Sequence, residues 1–182
     1  MMPKPSRLLA FGLGLMAALP CAAPAARAQA ADRVATHGDW SVFVATSPTK
    51  ECYVVSPPKS SKATRDGKPT TVDRGDIRLF VTYRPAEKVR GEVSFSAGYP
   101  IKAGSPVKLA IGSDSFSLTP GESGNADWAW PTPDADSKIG AALRKGSTAT
   151  VAGQSARGTN TVDTFSLSGF SAAIKEAEDR CS

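Results

Sequence analysis

Residues 76–84 read DIRLFVTYR, and the run alternates: Ile77, Leu79, Val81 and Tyr83 fall on one side of an extended chain, with Arg78, Phe80, Thr82 and Arg84 on the other. Successive side chains of an extended backbone point to opposite faces, so a period of two over this length marks a strand with one face buried and one wet. The next stretch, EVSFSAGY (92–99), repeats the pattern with Val93, Phe95, Ala97 and Tyr99 against Glu92, Ser94, Ser96 and Gly98. On either side the alternation recurs in DWSVFVA (39–45), PVKLAIG (106–112) and DSFSLT (114–119), with Gly112-Ser113 as a tight turn between the last two. ECYVVS (51–56), STATVAG (147–153) and NTVDTFSLS (160–168) complete about eight short strands.

Two helical patterns interrupt the strands. Thr132 stands as a cap before Pro133, with Ile139, Ala142 and Leu143 as an apolar face and Gly146 as the stop. At the end of the chain, with Ser168 as cap, Phe170, Ile174, Ala177 and Cys181 share one helical face, and Lys175/Asp179 and Glu176/Arg180 pair at i, i+4 on the other. Alternating βα units are absent, which argues against a doubly wound nucleotide-binding fold. The expected class is mainly β: an antiparallel β-sandwich of about eight short strands with one short internal helix and a C-terminal helix.

Residues 1–30 read as a cleaved signal peptide. A cationic start, MMPKPSR, precedes an apolar run broken by Pro20 and Pro24, and Ala28-Gln29-Ala30 offers the small-x-small pattern of a processing site. A membrane span needs about 20 uninterrupted apolar residues, and a lipid anchor at Cys21 is disfavoured by Pro20 directly before it. Processing removes Lys4, Arg7 and Arg27 and no acid, so the net charge falls from +5 to +2. A basic balance this small is weak ground for nucleic-acid binding. Residues 31–182 are expected to form a single soluble domain in an oxidising compartment.

Cys52 and Cys181 survive processing, and in an exported protein an even count favours a disulfide over free or intermolecular thiols. A redox pair is disfavoured because no C-x-x-C occurs and no helix start lies next to Cys52 to lower its pKa. Catalytic signatures are sparse. The mature chain has one histidine, His37, expected to be exposed near a mobile terminus, and too few His and Cys to hold zinc. Ser-x-x-Lys at Ser47 and Ser56 lies in Pro-containing loop sequence without a Lys-Thr-Gly partner, and no carboxylate pair for sugar hydrolysis stands out. The expectation is therefore a protein that is not an enzyme, without metal or cofactor.

Two segments remain as candidate surfaces. SPPKSSKATRDGKPTTVDRGD carries Lys59, Lys62, Arg65, Lys68 and Arg74 in a loop or hairpin turning near Asp66-Gly67, suited either to an anionic envelope polymer or acidic partner or simply to solvation. NADWAWPTP places Trp128 and Trp130 on one side of a short extended segment. Such a pair is more often core than a platform for a sugar or peptide.

The chain resembles the invasion associated locus B family of exported alphaproteobacterial proteins over nearly all of residues 31–182. The resemblance is carried by Gly38-Asp39-Trp40, by the strand from Gly146 to Ser155 with the Gly158-Thr159 turn, and by Phe165-Ser166-Leu167-Ser168-Gly169-Phe170 with Ala172 and Ala173 behind it. It implies a periplasmic or envelope-associated β-sandwich and no known reaction. Two functions follow as expectations: a noncatalytic binding or structural module engaging an envelope protein or anionic polymer, or a small-ligand carrier or hydrolase using Trp128 and Trp130. Periplasmic residence is expected, with outer-membrane association or secretion as further destinations.

Overall fold

The 76–84 alternation is realised as a central strand of one long antiparallel sheet. The computed structural model describes residues 30–182, and the signal-peptide expectation lies, up to residue 29, outside them. Twelve strands form: β1 (Asp32–His37), β2 (Trp40–Ala45), β3 (Glu51–Ser56), β4 (Ser60–Arg65), β5 (Lys68–Pro69), β6 (Arg78–Arg84), β7 (Val89–Ser96), β8 (Val107–Ile111), β9 (Asp114–Pro120), β10 (Trp128–Trp130), β11 (Thr148–Gln154) and β12 (Asn160–Ser166). They hydrogen-bond in the order β1-β2-β3-β6-β7-β10-β9-β8-β11-β12-β4-β5. The mainly β, antiparallel class stands, with twelve strands among the described residues in place of about eight.

The sheet folds over so that its halves face each other. Phe95 of β7 meets Phe165 of β12 edge to face at 6.3 Å, and both are buried. The inward register is the one the alternation predicts: Val42, Val54, Leu79, Val81, Val93, Leu109 and Val151 are all buried. Helix α1 (Asp136–Lys145) and helix α2 (Phe170–Arg180) close the core. Ile139, Ala142 and Leu143 are buried from α1, and Phe170, Ala173, Ile174 and Ala177 from α2. Phe170 meets Trp40 edge to face at 4.8 Å, and the Trp40 indole N–H donates to the Ser166 carbonyl at 3.0 Å.

Both helices start later than their expected caps. Thr132 and Pro133 open a separate turn, closed by the Ala135 N–H on the Thr132 carbonyl at 2.9 Å. The helix then begins at Asp136, whose carboxylate accepts the Val93 N–H at 2.9 Å and so fastens α1 to β7. Burial raises the pKa of Asp136, partly offset by that hydrogen bond. Ser168 is displaced as a cap by Gly169, which sits at φ +87° before α2. A Cβ on Gly169 would lie 2.0 Å from the His37 carbonyl oxygen, so only glycine admits the β1–β2 turn at this point.

That contact also corrects the reading of His37. Instead of a mobile start, β1 pairs with β2, and His37 Nε2 donates to Glu176 on α2 at 2.6 Å. Hydrogen bonds from His37 and then Arg180 hold the Glu176 carboxyl below its ordinary pKa.

The Cys52–Cys181 disulfide is present, with Cα atoms 6.0 Å apart. It ties the end of α2 to β3, and both cysteines are buried, as the apolar stripe of the last helix requires. Among the described residues, no helix is long and apolar enough to cross a membrane.

Candidate functional site

The aromatic residues that face away from the core stand in a row. On β2, β3 and β10 the core takes Val42, Val54 and Ala129. Their neighbours Phe43, Tyr53, Trp128 and Trp130, with Phe80 of β6, point to the other side and stay partly exposed. Phe43 stacks on Tyr53 at 5.0 Å and 9°. Tyr53 lies 5.9 Å from Phe80, and Phe80 lies 5.3 Å from Trp128. Trp128 in turn lies 6.0 Å from Trp130 at 18°. Cross-strand register produces the row: Phe43 is directly opposite Tyr53, while Ser94 opposite Phe80 and Ser96 opposite Trp128 leave room between them.

The small hydroxyl residues on the intervening strand turn this part of the face into a trough of about 450 Å³. Thr82 and Ser94 lie in it between Tyr53, Phe80 and the two tryptophans, and Glu51, Glu92 and Arg84 line it as well. Arg84 bonds both Glu92 oxygens at 3.1 and 3.2 Å and Glu87 at 2.9 Å. Burial, and then the negative charge of Glu51, raise the pKa of the Tyr53 phenol. Aromatic faces beside hydroxyls, carboxylates and a guanidinium suit a ligand that is apolar on one side and rich in hydroxyls on the other, the character of a sugar ring.

Trp128 and Trp130 are therefore not core residues. The core takes Ala129 between them, and the tryptophans form one end of an outward-facing platform. Phe43, Tyr53 and Phe80 complete that platform and were not singled out in the sequence. Their signal was present all the same: Phe80 and Phe43 are large aromatics at positions that alternation assigns to the wet face.

The basic segment is a hairpin, with β4 and β5 joined at Asp66 (φ 51°) and Gly67 (φ 75°) and β4 paired to β12. Its five cations do not form one surface. Lys59 pairs with Asp39 at 2.8 Å. Lys62 lies opposite Val162, and Val162 is exposed. Arg65 turns to the opposite face, where its Nε and Nη2 donate to Thr159 Oγ1 at 3.2 and 2.6 Å. Lys68 is exposed. Arg74 is withdrawn from solvent: its side chain is 7% exposed, against 0% for Asp163, to which it is bonded. Two hydrogen bonds of 2.7 Å join the guanidinium to the Asp163 carboxylate, and two more reach the Ala97 carbonyl at 3.0 and 2.7 Å. The expected contact loop is thus partly an internal strut.

Arg74 also lines, with Arg65, Arg157, Tyr99, Thr159 and Asp73, a second cleft of about 450 Å³. Tyr99 and Thr161 share a hydrogen bond of 2.6 Å, and the Arg74 guanidinium lies over the Tyr99 ring at 4.8 Å. Among the described residues, no group of three or more His, Cys, Asp or Glu is placed to hold a metal ion.

Comparison with known proteins gives a family match and a likeness among solved structures. The sequence model of a family described as Invasion associated locus B (IalB) protein matches residues 40–178. Among solved structures, the fold resembles the crystal structure of invasion associated protein B from Bartonella henselae, with a TM-score of 0.53 and 19% sequence identity over 83% of this chain and 97% of that one. At that identity the likeness is one of fold. Among curated proteins none matches the chain.

Proposed function

The chain belongs to the invasion associated locus B family, and on that premise we propose that it is an exported, noncatalytic binding module that holds a carbohydrate chain of the cell envelope against its outer sheet face. The observation that carries this reading is the aromatic row from Phe43 to Trp130, partly exposed on the side of the sheet away from the core. A row of this kind costs stability if it serves nothing, since its apolar area is left to water. Export and periplasmic residence are supported by the cationic and apolar start of the chain and by the disulfide, which persists in oxidising compartments. The noncatalytic part is supported by the engagement of His37 with Glu176 and of Glu92 with Arg84.

The experiment is native electrophoresis of residues 31–182 through gels containing dextran, mannan or hyaluronan. Wild type is expected to be retarded in at least one gel, and Trp128→Ala to bind at least tenfold more weakly while melting within a few degrees of wild type. Retardation in no gel, or equal retardation of the variant, contradicts the proposal. Release of reducing ends from the retarding polysaccharide, abolished by Glu51→Gln, would instead favour the hydrolase reading.

A further inference from the structure

The trough on the aromatic face continues beyond Trp128. Trp128 also lines a neighbouring depression of about 560 Å³, which carries on to Gly98, Tyr99 and Pro100. Those same three residues form a wall of the arginine cleft. Trough and depression thus share Trp128, and depression and cleft share Gly98, Tyr99 and Pro100. The trough alone crosses β3, β6, β7 and β10, about 14 Å at the usual strand spacing.

Where depression and cleft meet, two backbone segments pack closely. Gly98 sits at φ +68°, and a Cβ there would lie 2.5 Å from the Gly75 carbonyl oxygen. The Gly75 N–H donates to the Gly98 carbonyl at 2.8 Å, so the strap leading into β6 is pinned beside the depression. The Arg74–Asp163 pair fixes the same strap.

Charge divides the two ends. At the trough end Glu51 and Glu92 face the ligand space, with Arg84 already held by Glu92. At the other end Arg74 is matched by Asp163. Arg65 and Arg157 line the cleft there, and among the described residues neither makes an ion pair. Asp73 is one carboxylate on the same wall. Arg65 has spent Nε and one Nη on Thr159, which orients its remaining N–H groups, and a guanidinium fork matches a carboxylate or phosphate.

We infer that the three depressions form one groove for a linear acidic glycan, its uncharged rings on Tyr53, Phe80 and Trp128 and an anionic substituent at Arg65 and Arg157. This rests on the carbohydrate reading of the aromatic face and adds the class of glycan and its direction along the groove.

The test compares hyaluronan, in which acidic and neutral sugars alternate, with its carboxyl methyl ester, which keeps the chain and removes the charge. Affinity electrophoresis of residues 31–182 is run in both. Wild type is expected to bind the acid at least tenfold more tightly than the ester. Arg65→Ala/Arg157→Ala erases that preference and retains binding to the ester, while Lys138→Ala/Lys145→Ala, an equal loss of charge on α1, leaves the preference in place. Trp128→Ala loses both ligands. Equal binding of acid and ester, an unchanged preference in the double arginine variant, or the same loss from the lysine pair overturns the acidic assignment and leaves the aromatic reading standing. Undiminished binding by Trp128→Ala overturns that reading itself. Binding of neither ligand overturns the acidic assignment, and the neutral-polysaccharide gels then decide the rest.

Discussion

Replacing Cys52 and Cys181 together by Ala is expected to lower the stability of the domain by about 4–5 kcal/mol. The bond joins residues 129 positions apart, and in the chain-entropy model a crosslink over that length removes a large share of the freedom of the unfolded chain. It also ties α2, which packs on β2 and β3, covalently to the sheet. Phe170, Ile174 and Ala177 give the helix its own hold on the core. A denaturant titration of variant and wild type measures the difference, and reduction of wild type under the same conditions should reproduce it. For a domain of this size the loss corresponds to a fall in melting temperature of roughly 10–20 °C. A loss below about 1 kcal/mol would mean that packing of α2 alone fixes the tail.

Removing either partner of the Arg74–Asp163 pair is expected to cost about 3–5 kcal/mol. Asp163 is fully buried and Arg74 nearly so, so either single substitution strands a charge that has lost its solvation. Arg74→Ala also frees the Ala97 carbonyl, which accepts two of its hydrogen bonds. Arg74→Met/Asp163→Leu removes both charges and keeps comparable volume. It should therefore cost less than the two single changes added together, with a coupling of at least about 2 kcal/mol. Unfolding titrations on the four proteins of this cycle give the coupling directly. Additive costs would show that the two groups are solvated independently, contrary to the buried geometry.

The sequence was most readable where strands were long and half apolar. DIRLFVTYR, EVSFSAGY and their neighbours carry enough alternation to fix both the strand and its buried face. The four strands without that signal, β1, β4, β5 and β10, are short or polar. β4 reads SSKATR with a single apolar residue, so its pairing with β12 comes from the backbone ladder and not from hydrophobic patterning. The last helix was legible because Phe170, Ile174, Ala177 and Cys181 make a continuous stripe, and the disulfide was legible in the even count of cysteines left after processing.

The site was less readable, for two physical reasons. Arg74 sits in a run of cations that looks like a solvated loop, yet Asp163, 89 positions away, neutralises it inside the fold. Only tertiary structure brings the two together. Phe43, Tyr53 and Phe80 read as ordinary strand aromatics, and nothing local says that their rings line up across adjacent strands with Trp128 and Trp130. The alternation did assign Phe80 to the wet face. What it lacked was the cross-strand register, which converts scattered exposed aromatics into a surface.

The central claim, that the outer aromatic row is the contact surface, is tested most directly by the indole N–H signals of the three tryptophans in a proton–nitrogen NMR spectrum. Trp40, buried and bonded to the Ser166 carbonyl, serves as the internal control during titration with oligosaccharides of hyaluronan, dextran and mannan. Saturable shifts of the Trp128 and Trp130 signals with Trp40 unmoved are the predicted result. No movement with any of the three ligands, or movement of Trp40 with Trp128 and Trp130 still, would contradict it.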